Sequence, residues 1–298
     1  MSLDELRTLL ARHARADGTT AIEDVLIGRE ESQAPHASMT GTVMALIAQG
    51  AKRLALGERV YEYSAGQYLV ASVDLPVTGH FVGATPERPA LGLGLLLQAS
   101  DIAEMMLQTA HSFAQNGTAP PALAVSDAPD EFLDAAVRLL RLLDQPRDRD
   151  MLAPLIKREI LWRLITGEQG ATVRQIGLAD SNLSHIARAV QWIRDNYKEP
   201  FRVDDVAASV GMSTSVFYRN FQAVTGMSPI QFQKKMRLHG ARLLLAAHPK
   251  DIAYIGYHVG YDSPSQFSRE YRRLFGVPPS RDAIKFTVRI TGEENHDV

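Results

Sequence analysis

Ile255-Gly-Tyr-His-Val-Gly-Tyr-Asp-Ser-Pro-Ser-Gln-Phe-Ser-Arg-Glu-Tyr271 is a second copy of Val206-Ala-Ala-Ser-Val-Gly-Met-Ser-Thr-Ser-Val-Phe-Tyr-Arg-Asn-Phe221. Val210-Gly211 matches Val259-Gly260 at an offset of 49, and after the turn the offset is 50. Phe217/Phe267, Arg219/Arg269, Phe221/Tyr271, Gly226/Gly276 and Pro229/Pro279 then coincide, so the second copy holds one extra turn residue. An internal repeat marks a repeated structural unit.

Each copy reads helix, tight turn, helix. Gly211 and Gly260 stand where the chain turns sharply, a position that favours φ > 0. Ser213 and Ser263 are candidate N-caps, and Pro264 falls at the first helical position, where its missing N–H costs nothing. In the second helix of each unit, Phe217, Phe221 and Val224, or Phe267, Tyr271 and Leu274, share a core face at i, i+4, i+7.

The opposite faces carry small, polar and basic side chains: Thr214, Ser215, Tyr218 and Arg219 in unit one; Ser265, Gln266, Arg269, Arg272 and Arg273 in unit two. A helix that enters the major groove presents such residues to base edges. Arg can grip guanine O6 and N7, and Gln can pair with adenine N6 and N7. A merely solvated face is the alternative, and the duplication argues against it. Lys234, Lys235, Arg237 and Arg281 are further candidates for phosphate contact, although Gln-Lys-Lys-Met-Arg (233–237) equally fits a solvated helix face.

The charge distribution agrees. The 298 residues carry a net charge of −2, but residues 1–180 hold 16 Lys/Arg against 23 Asp/Glu, and residues 181–290 hold 16 against 8. A basic part joined to an acidic part suggests a polyanionic partner, or an ordinary solvated surface. With no Cys in the chain, disulfides, thiolate metal sites and iron–sulfur clusters are excluded. Apolar residues at 45% suffice for packed cores. The absence of a long apolar run and of a basic-apolar leader predicts a soluble cytoplasmic protein without a membrane partner.

Two segments make the C-terminal part resemble the DNA-binding region of the AraC/XylS transcription regulators. One is Val224-Thr-Gly-Met-Ser-Pro; the other runs from Gly260-Tyr-Asp-Ser-Pro to Phe275-Gly-Val-Pro-Pro-Ser. The resemblance covers residues 185–285. It implies seven helices and two helix-turn-helix units on one monomer, about one DNA turn apart, joined by a long helix. Here that helix is Pro229–Ala246, with Ser228 as its N-cap. Two departures are Gly256, where the family usually has Ala, and Arg202, where a capping Ser is common.

Before this part the period changes. Runs from Met39 to Phe81 are short and β-prone, separated by Gly50, Gly57 and Gly66, and Ala90–Leu97 adds another; this spacing suggests a barrel or sandwich. Helices are expected at Leu3–Ala14, Asp101–Ala114, Asp130–Leu143 and Pro154–Ile165, with a Gly-bearing linker over Thr166–Asp180. The last two helices either form a dimer seam or pack on the barrel. Ala48 to Glu58 and Tyr61 to Gly79 resemble the N-terminal domain of one AraC-type subgroup, which implies a cupin-like barrel that binds an effector or mediates dimerisation.

The expected architecture is therefore α+β: a cupin-like β-barrel with helices over 1–180, and an all-α DNA-binding domain of two helix-turn-helix units over 181–298. Lys52 and Arg53 are candidates to hold an anionic effector, or lie in a solvated turn. Tyr61, Tyr63 and Tyr68 either line a pocket or are half-buried strand residues. His36, His80 and His111 lie far apart without an HxH pair, and no nucleophile triad or phosphate loop is present. No catalytic residue, metal or cofactor is expected; a cupin enzyme with a helical appendage is the alternative. The partners implied are double-stranded DNA, a small-molecule effector, RNA polymerase and a second copy of the chain.

Overall fold

The computed structural model describes residues 2–108, 121–178, 182–247 and 251–283. Among these, nine strands form two antiparallel sheets. The five-stranded sheet has the order β1 (Val25–Glu30), β8 (Ala90–Leu96), β3 (Val43–Gln49), β6 (Gln67–Ala71), β9 (Leu123–Asp127). The four-stranded sheet has the order β2 (His36–Met39), β7 (Pro76–Val82), β4 (Ala51–Leu56), β5 (Arg59–Ser64). Gly57 ends the β4–β5 hairpin at φ +61°, as the short turn requires.

The outer face of the five-stranded sheet is covered by α1 (Ser2–His13), α3 (Asp130–Arg141) and α4 (Pro146–Thr166). Leu91, Leu93 and Leu95 alternate inward along β8 and meet Leu6, Leu10 and Phe132 in one buried cluster. Gly92 permits close strand approach, since a Cβ there would stand 3.0 Å from the Leu46 carbonyl oxygen.

A second cluster begins between the sheets with Leu54, Leu56, Tyr63 and Leu69. It continues without a break into α6 (Asn182–Asp195), α7 (Val203–Ser209) and α8 (Thr214–Thr225) through Ile186, Val206, Phe217 and Phe221. A third and smaller cluster unites the distal half of α9 (Pro229–Ala247) with α10 (Ile252–His258) and α11 (Pro264–Phe275) around Phe267 and Tyr271. The chain is helical again from Pro279 to Ala283, the last described residue.

The expected α+β architecture is observed. Three local expectations need correction, and a fourth is borne out as far as the described residues reach. Val25–Glu30 is a strand that the sequence pattern does not announce, and it pairs with β8 along its whole length. The helix expected to start at Pro154 starts at Pro146, so Pro154 lies inside it. The Gly-bearing stretch taken as a linker contains α5 (Gly170–Gly177). The helix expected over Asp101–Ala114 is α2 (Ala99–Gln108); its remainder, His111 and the boundary at 180/181 lie outside the described residues. No helix among the described residues is long and apolar enough to cross a membrane.

Candidate nucleic-acid interface

Unit one is α7, turn, α8. Gly211 has φ +73°, and Gly226 closes α8 in the left-handed region at φ +71°. Phe217, Phe221 and Val224 are fully buried. Ser215, Tyr218 and Arg219 are exposed on the other side, and Thr214 donates its hydroxyl to Asp204 at 2.8 Å. Ser213 precedes the helix but makes no side-chain cap; nor does Arg202 cap α7.

Unit two is α10, turn, α11. Gly260 has φ +90°, and Ser263 accepts from the Gln266 backbone N–H, with Pro264 at the first helical position. Phe267 and Tyr271 are fully buried, while Ser265, Arg269, Arg272 and Arg273 are exposed. Gly256 has a packing reason: a Cβ there would stand 3.1 Å from the Phe267 ring. Ser228 and Gln231 cap α9 reciprocally, at 3.2 and 2.9 Å.

The basic residues of α9 divide by direction. Exposed Lys234 pairs with Glu270 of α11 at 3.3 Å. Arg237 donates to the carbonyls of Tyr197 (2.8 Å), Lys198 (3.1 Å) and Gly260, so it ties the end of α6 to the turn of unit two. Lys235 is half-buried, and burial pushes its ammonium below the usual lysine range. Arg281 remains exposed. The run 233–237 is therefore neither a uniform phosphate strip nor a solvated face.

The candidate effector residues also divide. Lys52 is opposite Tyr63 on β5 and Phe81 on β7, with its ammonium 4.8 Å from the Phe81 ring centre. Lys52, Tyr61 and Tyr63 thus share the inward face of the four-stranded sheet. Arg53 points to the other face, where it pairs with Glu62 at 2.6 Å. Tyr68 belongs to the other sheet and stacks on Phe132 at 5.2 Å. Arg53 and Tyr68 are not brought together with Lys52.

Sequence reasoning missed what Lys52 meets. Burial lowers the pKa of Lys52, against the opposing pull of Glu30. Burial also lowers His36 on β2, with help from Lys52 and Arg242. On α9, burial takes His239 down to about 4, assisted by Lys235 and Arg242. α9 packs against β7 of the four-stranded sheet, so His36 and Lys52 on the sheet and Lys235, His239 and Arg242 on α9 bring basic groups to the two sides of one junction, a basic seam. Arg242 is anchored there by Asp282 at 3.0 Å. Lys235 and His239 at i, i+4 share one stripe, a spacing that could have identified the pair.

Among the described residues no group of three or more His, Asp or Glu is placed to hold a metal. A tandem pair of helix-turn-helix units joined to a double-sheet module covered by helices defines a helix-turn-helix protein with an N-terminal α+β module. Within that class the chain belongs to the AraC-type transcriptional regulators. The family model for the AraC-type transcriptional regulator N-terminus matches residues 21–172, and a helix-turn-helix domain model matches residues 206–282.

The chain is 28% identical over 144 residues to the HTH-type transcriptional regulator ArgR of Pseudomonas aeruginosa, covering 48% of this chain and 44% of that one. It is 29% identical over 157 residues to ExsA of the same organism, covering 53% and 56%. The matched part is thus about half the length of these curated relatives. The fold is similar to that of unsaturated-fatty-acid-bound ToxT from Vibrio cholerae, with a TM-score of 0.54, 11% identity, and coverage of 88% of this chain and 95% of that one.

Proposed function

We propose that this chain is a cytoplasmic, sequence-specific DNA-binding transcription regulator, not an enzyme, with an effector and dimerisation domain over 1–180 and a DNA-binding domain over 181–298. The observation that carries this reading is the duplicated helix whose aromatic face is buried and whose Ser- and Arg-bearing face is exposed in both units, with Tyr218 added in unit one. Ser215, Tyr218, Arg219, Ser265, Gln266 and Arg269 would read bases. Thr214, already engaged by Asp204, would support the start of α8, and Arg272 and Arg273 would hold phosphates. Titrating salt against DNA affinity tests it. Each phosphate contact contributes about −0.9 to the slope of log K against log salt, so several contacts give a steep line. A flat line would remove the reading.

The effector would be a small carboxylate-bearing molecule held at the seam of Lys52 and Lys235, with Tyr61 and Tyr63 on the apolar side. The ligand of the ToxT structure, a fatty acid, has that chemistry. Stabilisation by a long-chain monocarboxylic acid should be lost in Lys52→Gln and Lys235→Gln; equal stabilisation of all three proteins would count against the seam. A second copy would dock on α4, where Met151 is 74% and Leu155 is 62% exposed. RNA polymerase is the expected partner at the promoter.

A further inference from the structure

The one carboxylate of α11 is surrounded by donors from three elements. Glu270 Oε1 accepts from the Gln266 side-chain amide at 3.2 Å and from Lys234 of α9 at 3.3 Å. Its Oε2 accepts from the Tyr261 hydroxyl at 2.8 Å. The Glu270 side chain is only 14% exposed, so it stands beside the reading face and not on it. Burial opposes its ionisation, but the bonds from Gln266, Tyr261 and Lys234 outweigh burial and hold the carboxyl below its usual range. Tyr261 is itself fixed, because it follows Gly260, whose carbonyl is gripped by Arg237. A Cβ at Gly260 would stand 2.2 Å from the Lys198 carbonyl oxygen, so this turn has no room for a side chain.

We propose that Glu270 is a specificity-determining positioning residue of unit two: it aims the Gln266 amide and withholds Lys234 from phosphate. The inference rests on the DNA-reading proposal above. A carboxylate only accepts hydrogen bonds, so the Gln266 nitrogen must face Glu270 and its carbonyl oxygen must face away. A long amide that could otherwise offer either end, in many rotamers, is thereby held in one presentation before DNA arrives. Lys234, 46% exposed, has its charge cancelled by the same oxygen, so it releases no counterion when DNA binds. One buried acid thus trades non-specific affinity for sequence discrimination.

Two variants of the full chain separate these effects. Selection from a random duplex pool, sequencing and salt titration are run on wild type, Glu270→Ala and Glu270→Gln, with melting temperatures measured alongside. Glu270→Ala loses both functions: preference at one operator position drops by roughly tenfold, and the salt slope for random DNA steepens by about one. Glu270→Gln keeps an oxygen acceptor for Gln266 but drops the charge, so the selected motif persists while the slope still steepens. A purely packing role would instead lower the melting temperature and weaken all DNA in proportion, with motif and slope unchanged; that result overturns the proposal. A wild-type protein that selects no motif removes the DNA reading itself. A wild-type motif shared in full by Glu270→Ala removes only this inference.

Discussion

The two helix-turn-helix units are copies in sequence but not in attachment. Unit one shares its core with the two-sheet module: Phe217 and Phe221 belong to the same buried cluster as Leu54, Leu56 and Tyr63. The tip of the β4–β5 hairpin abuts the end of α8, where a Cβ at Gly57 would stand 2.4 Å from the Gly226 carbonyl oxygen. Arg59 donates to the Ala223 carbonyl at 3.3 Å, and Arg194 of α6 pairs with Asp74 of the barrel. Unit two has its own small core and is tied to unit one chiefly by α9 and the Arg237 bonds. One copy is thus built into the core of the two-sheet module, while the other keeps a core of its own and reaches unit one through α9 and the Arg237 bonds; on the proposed reading, an effector at the seam would act on their relative placement.

The largest test of this contrast is a pair of core truncations. Phe217→Ala and Phe267→Ala should each cost about 3–5 kcal/mol. Hydrogen exchange followed through denaturant should show barrel strands opening with unit one in the first variant. In the second, opening should stay within α10 and α11. The same pattern in both would break the comparison. Next come the glycines. Gly57→Ala and Gly260→Ala each force a side chain into φ > 0 against a carbonyl, costing about 1–3 kcal/mol or more. Gly260→Ala should weaken operator binding by displacing unit two; Gly57→Ala should instead blunt the effector response, which titration with the acid would record.

A base-reading residue is worth less. Arg269→Ala should cost about 1–3 kcal/mol at one operator position and leave random DNA nearly unaffected. Equal weakening of both would make Arg269 a phosphate contact. Acid sensitivity probes unit two without DNA. His239 has a folded pKa of about 4 against 6.5 unfolded. Between those values the unfolded chain binds the proton first, so stability falls as pH drops from about 6.5 towards 4 and is regained on raising it. His239 meets Phe275 of unit two edge-on at 5.6 Å, so α11 should loosen first. His239→Asn should flatten that part of the pH dependence seen in urea midpoints, leaving the part due to His36.

The repeat was legible because its turns demand particular residues: Gly211 and Gly260 need positive φ, and Ser263-Pro264 starts a helix whatever surrounds it. The two-sheet module was legible from short β-prone runs split by glycines. What stayed hidden depended on partners. Val25-Leu-Ile is too short an apolar run to declare a strand until β8 pairs with it. Pro154 looked like a helix start because its ring suits the first turn, yet packing carries α4 through it. Gly170 and Gly177 suggested a linker, but Thr172 and Val173 are buried and hold α5 in place. Lys234 and Lys235 are adjacent in sequence but about 100° apart around a helix, so charge alone could not send one to Glu270 and the other to the seam. The seam joins β2, β4 and α9, whose residues lie far apart in the chain.

The most direct measurement is a hydroxyl-radical footprint of the full chain on a duplex that it selects from genomic fragments. The account predicts two protected patches on one face of the DNA, about 10 base pairs apart centre to centre for each bound copy. The carboxylate effector should change protection over the patch of unit two more than over that of unit one. A single patch per copy, or protection no greater than on random DNA, would contradict it.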